Sequence, residues 1–248
     1  MNLNNIVIIL SHPDESRNIG SACRAMANNG IKQLRIIGKK EDYDNERVRI
    51  LAIHAADIWE NAQFFDSITD AAKDCVIAAG TTRRRGKKRK GKLLLPEEFT
   101  EIAAKTTGSG KEGGKVAVIF GNERTGLTDE EVLECNLGVT IPSCEDFPSL
   151  NLSHAVQIMC YHLFRNQSKT SPGYTPLTLD RLEKTIQTIA DNLQKVGFFK
   201  ITGRTDMEVF WRSVLSRAAL SESEAAYIEK TFTKMSGLSA RSNTQQQF

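Results

Sequence analysis

The chain has 248 residues, 40% of them hydrophobic and 25% charged, and a formal net charge of +3. That length accommodates one large domain and a small one, and the composition is ordinary for a soluble globular protein. The charge is uneven: residues 83–92 read RRRGKKRKGK, and removing those eight cations from the net +3 leaves the remainder at −5.

The opening MNLNNIVIILSHPDE has neither a basic leader nor a long apolar run, so it does not read as a signal peptide. Ile6–Leu10 is too short to span a bilayer and reads as a buried strand. The pattern predicts a helix over Asn18–Asn29, with Asn18 as its cap and Gly30 as its stop. Gln33–Ile37 is a second strand, Val48–His54 is helical, and Trp59, Phe64 and Phe65 are core candidates. Cys75–Ala79 is a third strand, ending at Gly80-Thr81-Thr82. After the basic run a helix opens at Pro96, a favoured first position for proline. The GSGKEGG segment leads into the strand Val116–Phe120, which enters a turn at Gly121–Gly126. A helix and the strand Val139–Ile141 follow. Ser149 and Asn151 then stand where they can cap a helix running from Leu152 to about Arg165.

Strands alternating with helices predict an α/β fold, a mostly parallel sheet with helices on both faces. The ends of the Val116 and Val139 strands are expected side by side, exposing backbone groups where such sheets bind small ligands. Residues 166–178 read as a linker. Residues 179–238 read as an all-helical extension: Leu179, Leu182, Ile186, Ile189, Leu193 and Val196 make one apolar stripe, and Gly197 ends that helix. A second helix covers Val209–Leu220. Ser221 and Glu224 form a capping box for a third, which Gly237 is expected to end, leaving 239–248 as a disordered tail.

Several motifs weigh little. Gly108, Gly110 and Gly113 spell G-x-G-x-x-G, but the pattern follows a helix and precedes a strand, the reverse of a dinucleotide fingerprint. Gly86–Lys92 nearly matches a phosphate-binding loop, but Leu93 stands where a Mg²⁺-binding hydroxyl is needed. None of His12, His54, His154 and His162 has metal-ligand spacing, so no metal is expected. Cys23, Cys75, Cys135, Cys144 and Cys160 include no C-x-x-C pair, which fits reduced thiols in a cytoplasmic protein. Glu123 and Arg124 read as a pair on their own turn. Arg24 is either an exposed helical arginine or a guanidinium aimed at a phosphate or forming oxyanion. The 83–92 run is either a solvated loop or a phosphate-binding surface, and its density favours nucleic acid.

Three segments change the weighting. Asn18-Ile19-Gly20-Ser21-Ala22-Cys23-Arg24 reads N-x-G-x-x-x-R, Phe120–Leu127 reads F-G-x-E-x-x-G-L, and Ile141-Pro142 is followed by Ser149-Leu150-Asn151-Leu152-Ser153. In this order they resemble the SPOUT superfamily of RNA methyltransferases, specifically its TrmH-like ribose 2′-O-methyltransferases. The resemblance covers about residues 5–165, so residues 1–165 would be the SPOUT domain. The Phe-Pro-Ser-Leu-Asn-Leu wording, the Gly80-Thr81-Thr82 strand end and the helical extension resemble the TrmJ branch, which acts on the ribose of nucleotide 32 in the tRNA anticodon loop.

The resemblance implies a C-terminal trefoil knot, S-adenosyl-L-methionine as methyl donor, and a homodimer with the active site at the interface. Carried over by position, it implies donor binding by Thr81, Thr82, Arg83, Gly121, Ile141, Pro148, Ser149 and Leu150. It gives catalysis to Arg24, supported by Asn18, Glu123, Ser149 and Asn151. Arg17, Arg84, Arg85, Lys87, Lys88, Arg89 and Lys90 would contact tRNA, with no membrane involved. Arg17 departs from the family, which often has glycine there. A 2′-O-methyltransferase for rRNA or another tRNA position, and a non-catalytic RNA-binding member of the fold, remain as alternatives.

Overall fold

A computed structural model describes residues 1–83, 93–108, 113–166, 173–199 and 203–245. The expected basic contacts at Arg84, Arg85, Lys87, Lys88, Arg89 and Lys90 lie outside the described residues, as does Gly110. The chain forms two units, Met1–Thr175 and Pro176–Phe248.

In the first unit, β1 (Ile6–Ser11), α1 (Ser16–Asn28), β2 (Gln33–Ile37), α2 (Asn45–Ala52), α3 (Ala56–Glu60), β3 (Gln63–Phe65), α4 (Ile68–Ala72) and β4 (Cys75–Thr81) follow in order. They are succeeded by α5 (Pro96–Thr107), β5 (Lys115–Phe120), α6 (Asp129–Leu133), β6 (Leu137–Val139) and α7 (Leu152–Arg165). The six strands form one sheet in the order β3-β2-β1-β5-β4-β6, and every pairing is parallel. Ile8 lies opposite Leu34 on one side and Val118 on the other. All six residues of β1 are buried, which requires cover on both sheet faces and explains its unbroken apolar run. Trp59 is fully buried and packs edge-on against Tyr43 and Phe64, while Phe64 and Phe65 are only partly buried.

Three sequence expectations shift. The short strand β3 is additional to those the sequence predicts, so Cys75–Thr81 is the fourth strand. Three residues are too few to show an alternating pattern. The ends of β5 and β6 are not neighbours, because β4 lies between them. The helix α1 starts at Ser16 with Glu15 as its cap residue, so Asn18 lies inside the first turn and its side chain is free for another role.

The stretch after β6 is held from two directions. Thr82 N–H donates to Val139 O at 2.8 Å, Leu94 N–H donates to Gly138 O at 2.9 Å, and Thr140 N–H donates to Leu94 O at 2.9 Å. Residues 138–140 thus bond to the segments on both sides of the basic run.

The second unit comprises α8 (Leu179–Lys195), α9 (Arg204–Ala218) and α10 (Glu222–Gln245). Ile186, Ile189, Leu193, Leu215 and Ala225 form its core. Gly197, at φ +74°, ends the first helix as expected, and Ser221 and Glu224 form the expected reciprocal cap. Gly237 does not end α10, which continues to Gln245. One glycine in a helix interior costs about 1 kcal/mol relative to alanine, too little to stop a long helix. Among the described residues, no helix is long and apolar enough to cross a membrane.

Arg35, on β2, is 5% exposed. Its guanidinium reaches Asp74 at 2.5 and 3.0 Å and also donates to Ala71 O. Lys115 meets the same carboxylate at 2.7 Å. The hydrogen bonds from Arg35, opposed by burial and helped by Lys115, hold the Asp74 carboxyl well below the usual carboxylate range. A depressed folded-state pKa stabilises above the unfolded value of about 3.9 and is lost as pH falls further. Asp74→Asn should therefore lower stability at pH 7 by about 1–3 kcal/mol, the cost of under-satisfying a buried charged donor. Denaturation of both proteins across pH should show the gap narrowing below about pH 4.

Candidate functional site

The carboxyl ends of β4, β5 and β6 open into a cavity of about 370 Å³. Thr81, Thr82 and Arg83 leave β4 along one wall, and Phe120, at the end of β5, and the loop Gly121–Leu127 form another. Ile141 and Pro148–Leu150 come from the long segment after β6, and Leu152 and Ala155 from the first turn of α7. All eight residues expected to bind the donor line this one cavity. Leu152 and Ala155 escape sequence reasoning because apolar residues spaced i, i+3 read as core.

The β5 loop has this shape because of its glycines. A Cβ on Gly121 would lie 2.1 Å from Leu127 N and 2.2 Å from Gly126 C, so no other residue fits the close turn. Gly126 has φ +68°, a conformation cheap for glycine. Its N–H closes the turn on Asn122 O at 2.8 Å. Thr81 Oγ1 donates to Ile119 O at 2.8 Å, and Ser143 Oγ donates to Pro148 O at 3.0 Å, fixing the other two walls.

Glu123 does not pair with Arg124. Its Oε2 accepts from Asp14 N–H at 2.7 Å, and its Oε1 accepts from Asn18 Nδ2 at 2.8 Å. Asn18 Oδ1 in turn accepts from Asn151 Nδ2 at 2.9 Å. Asn151 Oδ1 accepts from Ser153 N–H at 2.9 Å and caps α7. One chain of side-chain hydrogen bonds therefore joins all three motif segments. Ser149 does not cap α7; it is exposed at the cavity.

Arg124 turns instead to Asp14 at 2.7 Å. Asn122 and, after it, Arg124 hold the Asp14 carboxyl below its ordinary value. Asn122 Nδ2 also donates to His12 O at 2.8 Å, and His12 takes the unusual φ of +45°. Tyr43 stands by this loop, and burial, then the carboxylates of Asp42, Glu123 and Asp14, push its phenol up to about 12. Nothing in the sequence pattern points to Tyr43.

Arg17 and Arg24 are exposed on α1, and neither lines the cavity. Among the described residues no cluster of His, Cys, Asp and Glu could hold a metal.

The sequence pattern of the SpoU rRNA methylase family matches residues 5–161. The chain belongs to that family. It is 35% identical over 161 residues to the tRNA (cytidine-2′-O-)-methyltransferase TrmJ of Methanocaldococcus jannaschii, covering 64% of this chain and 67% of that one. It is 29% identical over 246 residues to the tRNA (cytidine/uridine/adenosine-2′-O-)-methyltransferase TrmJ of Pseudomonas aeruginosa, covering 94% of each. The crystal structure of TrmJ from Z. mobilis ZM4 superposes with a TM-score of 0.72 at 27% identity, over 92% of this chain and 98% of that one. The family expected from the three motifs is the one found, and the helical extension lies within the span shared with the second and third relatives.

Glu123→Gln should loosen the link between the motifs. The amide supplies one acceptor where two carboxylate oxygens serve donors at Asp14, Glu15 and Asn18, and it turns an N–H₂ toward a donor. We expect faster hydrogen exchange at the Asp14 amide and a drop of about 1–2 kcal/mol in denaturant unfolding.

Proposed function

We propose that this chain is an S-adenosyl-L-methionine-dependent tRNA ribose 2′-O-methyltransferase, acting on nucleotide 32 of the anticodon loop as a cytoplasmic homodimer. The observation that carries the reading is the cavity lined by all eight expected donor-binding residues, with the hydrogen-bond chain Glu123–Asn18–Asn151 tying its walls to the helix that bears Arg24. The TrmJ relatives support tRNA as the substrate.

The cavity suits the donor. Its 370 Å³ falls in the range of small-ligand clefts, about 300–1,000 Å³. The lack of a side chain at Gly121 lets the loop after β5 close on itself at Gly126 and Leu127, which shapes one wall of the cavity. Phe120, Leu127, Ile141 and Leu150 offer apolar contacts, and Thr82 and Ser149 offer hydroxyls. When bound, the donor supplies an electrophilic sulfonium methyl. The backbone pairing of residues 138–140 to Thr82 and Leu94 supports the knotted passage that the family implies.

The remaining work falls to the protein. The attacking 2′-oxygen has to be aligned with the methyl group, and its proton has to leave. Arg24 stays protonated, so it serves by binding the neighbouring phosphate and stabilising the forming alkoxide, while the proton passes to phosphate or water. Arg24 lies on an exposed helix face outside its own chain's cavity. In the homodimer it serves the partner's cavity. Arg17 and the 83–92 run hold the RNA backbone.

Incubation with tRNA and methyl donor, then nuclease digestion and mass mapping, should place one methyl group on the ribose of nucleotide 32. A methyl elsewhere in tRNA or in rRNA would change the substrate, and none at all would overturn the reading. Arg24→Ala should cut methyl transfer by about 10²-fold or more, the scale of losing one oxyanion stabiliser, while donor binding by calorimetry is retained. Changing Lys87, Lys88, Arg89 and Lys90 together to Ala should weaken tRNA binding. The slope of log K against log salt should become shallower by about 0.7–0.9 for each phosphate no longer neutralised.

A further inference from the structure

The segment between Pro142 and Ser149 carries one side chain that the pocket does not explain. Phe147 is 80% exposed, more than any other large hydrophobic side chain among the described residues. It immediately precedes the wall formed by Pro148, Ser149 and Leu150. Its loop is closed by the hydrogen bond from Ser143 Oγ to Pro148 O at 3.0 Å, so the ring is presented from a short, tied loop. It makes no ring–ring contact among the described residues, unlike Tyr43, Trp59 and Phe64.

Two features fix what such a ring can meet. A phenylalanine has no polar handle, so recognition is by its face and edge. Glu145 and Asp146, the two residues before it, are exposed carboxylates, which repel phosphates and anionic lipid surfaces. A partner is therefore held by the ring and not by charge: the contacting group must be flat and apolar, with any phosphates turned away from Glu145 and Asp146. An unpaired nucleobase of a single-stranded RNA loop is such a group, and aromatic side chains commonly stack on such splayed bases.

We propose that Phe147 is a base-stacking residue of the RNA site, taking an unpaired base at or beside the target nucleotide and so holding the ribose over the cavity. This rests on the function proposed above. It adds selection for a nucleotide in a loop over one in a duplex, because a paired base has no free face to offer.

The full-length chain tests it with Phe147→Ala, Phe147→Leu and Phe147→Trp. Stacked bases contribute enough that Ala should lower kcat/KM for tRNA by about tenfold or more, with donor affinity by calorimetry within about twofold of the unchanged protein. Trp should retain activity, and Leu, apolar but without a π-face, should fall with Ala. Full activity in Leu, equal loss of donor affinity in Ala, or a changed oligomeric state in Ala would each overturn the proposal, the last by making Phe147 part of a protein interface. A second measurement stands apart from catalysis. An anticodon-stem hairpin carrying 2-aminopurine in its loop should lose fluorescence on binding the unchanged protein and not on binding the Ala variant. Equal quenching by both would reject stacking at Phe147 even if no methyl transfer were found, whereas failure of methyl transfer with intact differential quenching would reject only the parent function.

Discussion

The site depends on one carboxylate. Glu123 accepts from the backbone before α1 and from Asn18 within it, and Asn18 passes the link to Asn151 at the start of α7. These groups come from residues 14–18, 123 and 151, which the chain brings together only when the sheet is complete. A charged acceptor makes hydrogen bonds of about twice the strength of neutral ones. Glu123 therefore fixes where the first helix begins relative to the loop after β5. Remove it and the loop after β5 loses its side-chain tie to the start of α1, while the pairing of β1 with β5 remains.

Much of this is legible in the sequence, for identifiable reasons. The buried strands are visible because a sheet covered on both faces demands uninterrupted apolar runs, as at Ile6–Leu10. The cavity's lining is legible because its walls are turns, where Gly121, Gly126 and Asn151 have conformational reasons to be present. The resemblance to a family supplies Thr81, Thr82, Arg83, Ile141, Pro148, Ser149 and Leu150, while Leu152 and Ala155 come only from the structure. The lateral order of strands is not legible. Placing β4 between β5 and β6 is a long-range choice that leaves no trace in local periodicity. Asn18 misleads for a related reason: Asn near a helix start is a common cap, and only the tertiary position of Glu123 reveals its other use. The pairing of Glu123 with Arg124 fails likewise, since adjacency in sequence says little about which partner lies nearest in space.

The sheet also divides labour between its two ends. Around Arg35, Asp74 and Lys115 the charges pair and are partly buried, linking β2, the residue before β4, and β5. At the carboxyl ends of β4, β5 and β6 the chain instead leaves loops, hydroxyls and backbone groups open to a cavity. Stability is concentrated where nothing needs to bind, and irregular backbone where something does.

The double attachment of residues 138–140 has a consequence for biogenesis. The segments near Thr82 and Leu94 must both stand ready before Val139 and Thr140 can bond to them. During synthesis β1 to β5 all leave the ribosome before the edge strand β6, and the Pro148–Leu150 wall of the cavity follows still later. The cavity is thus among the last parts of the first unit to mature. A nascent chain arrested before β6 would lack Ile141 and Pro148–Leu150, and with them one wall of the cavity.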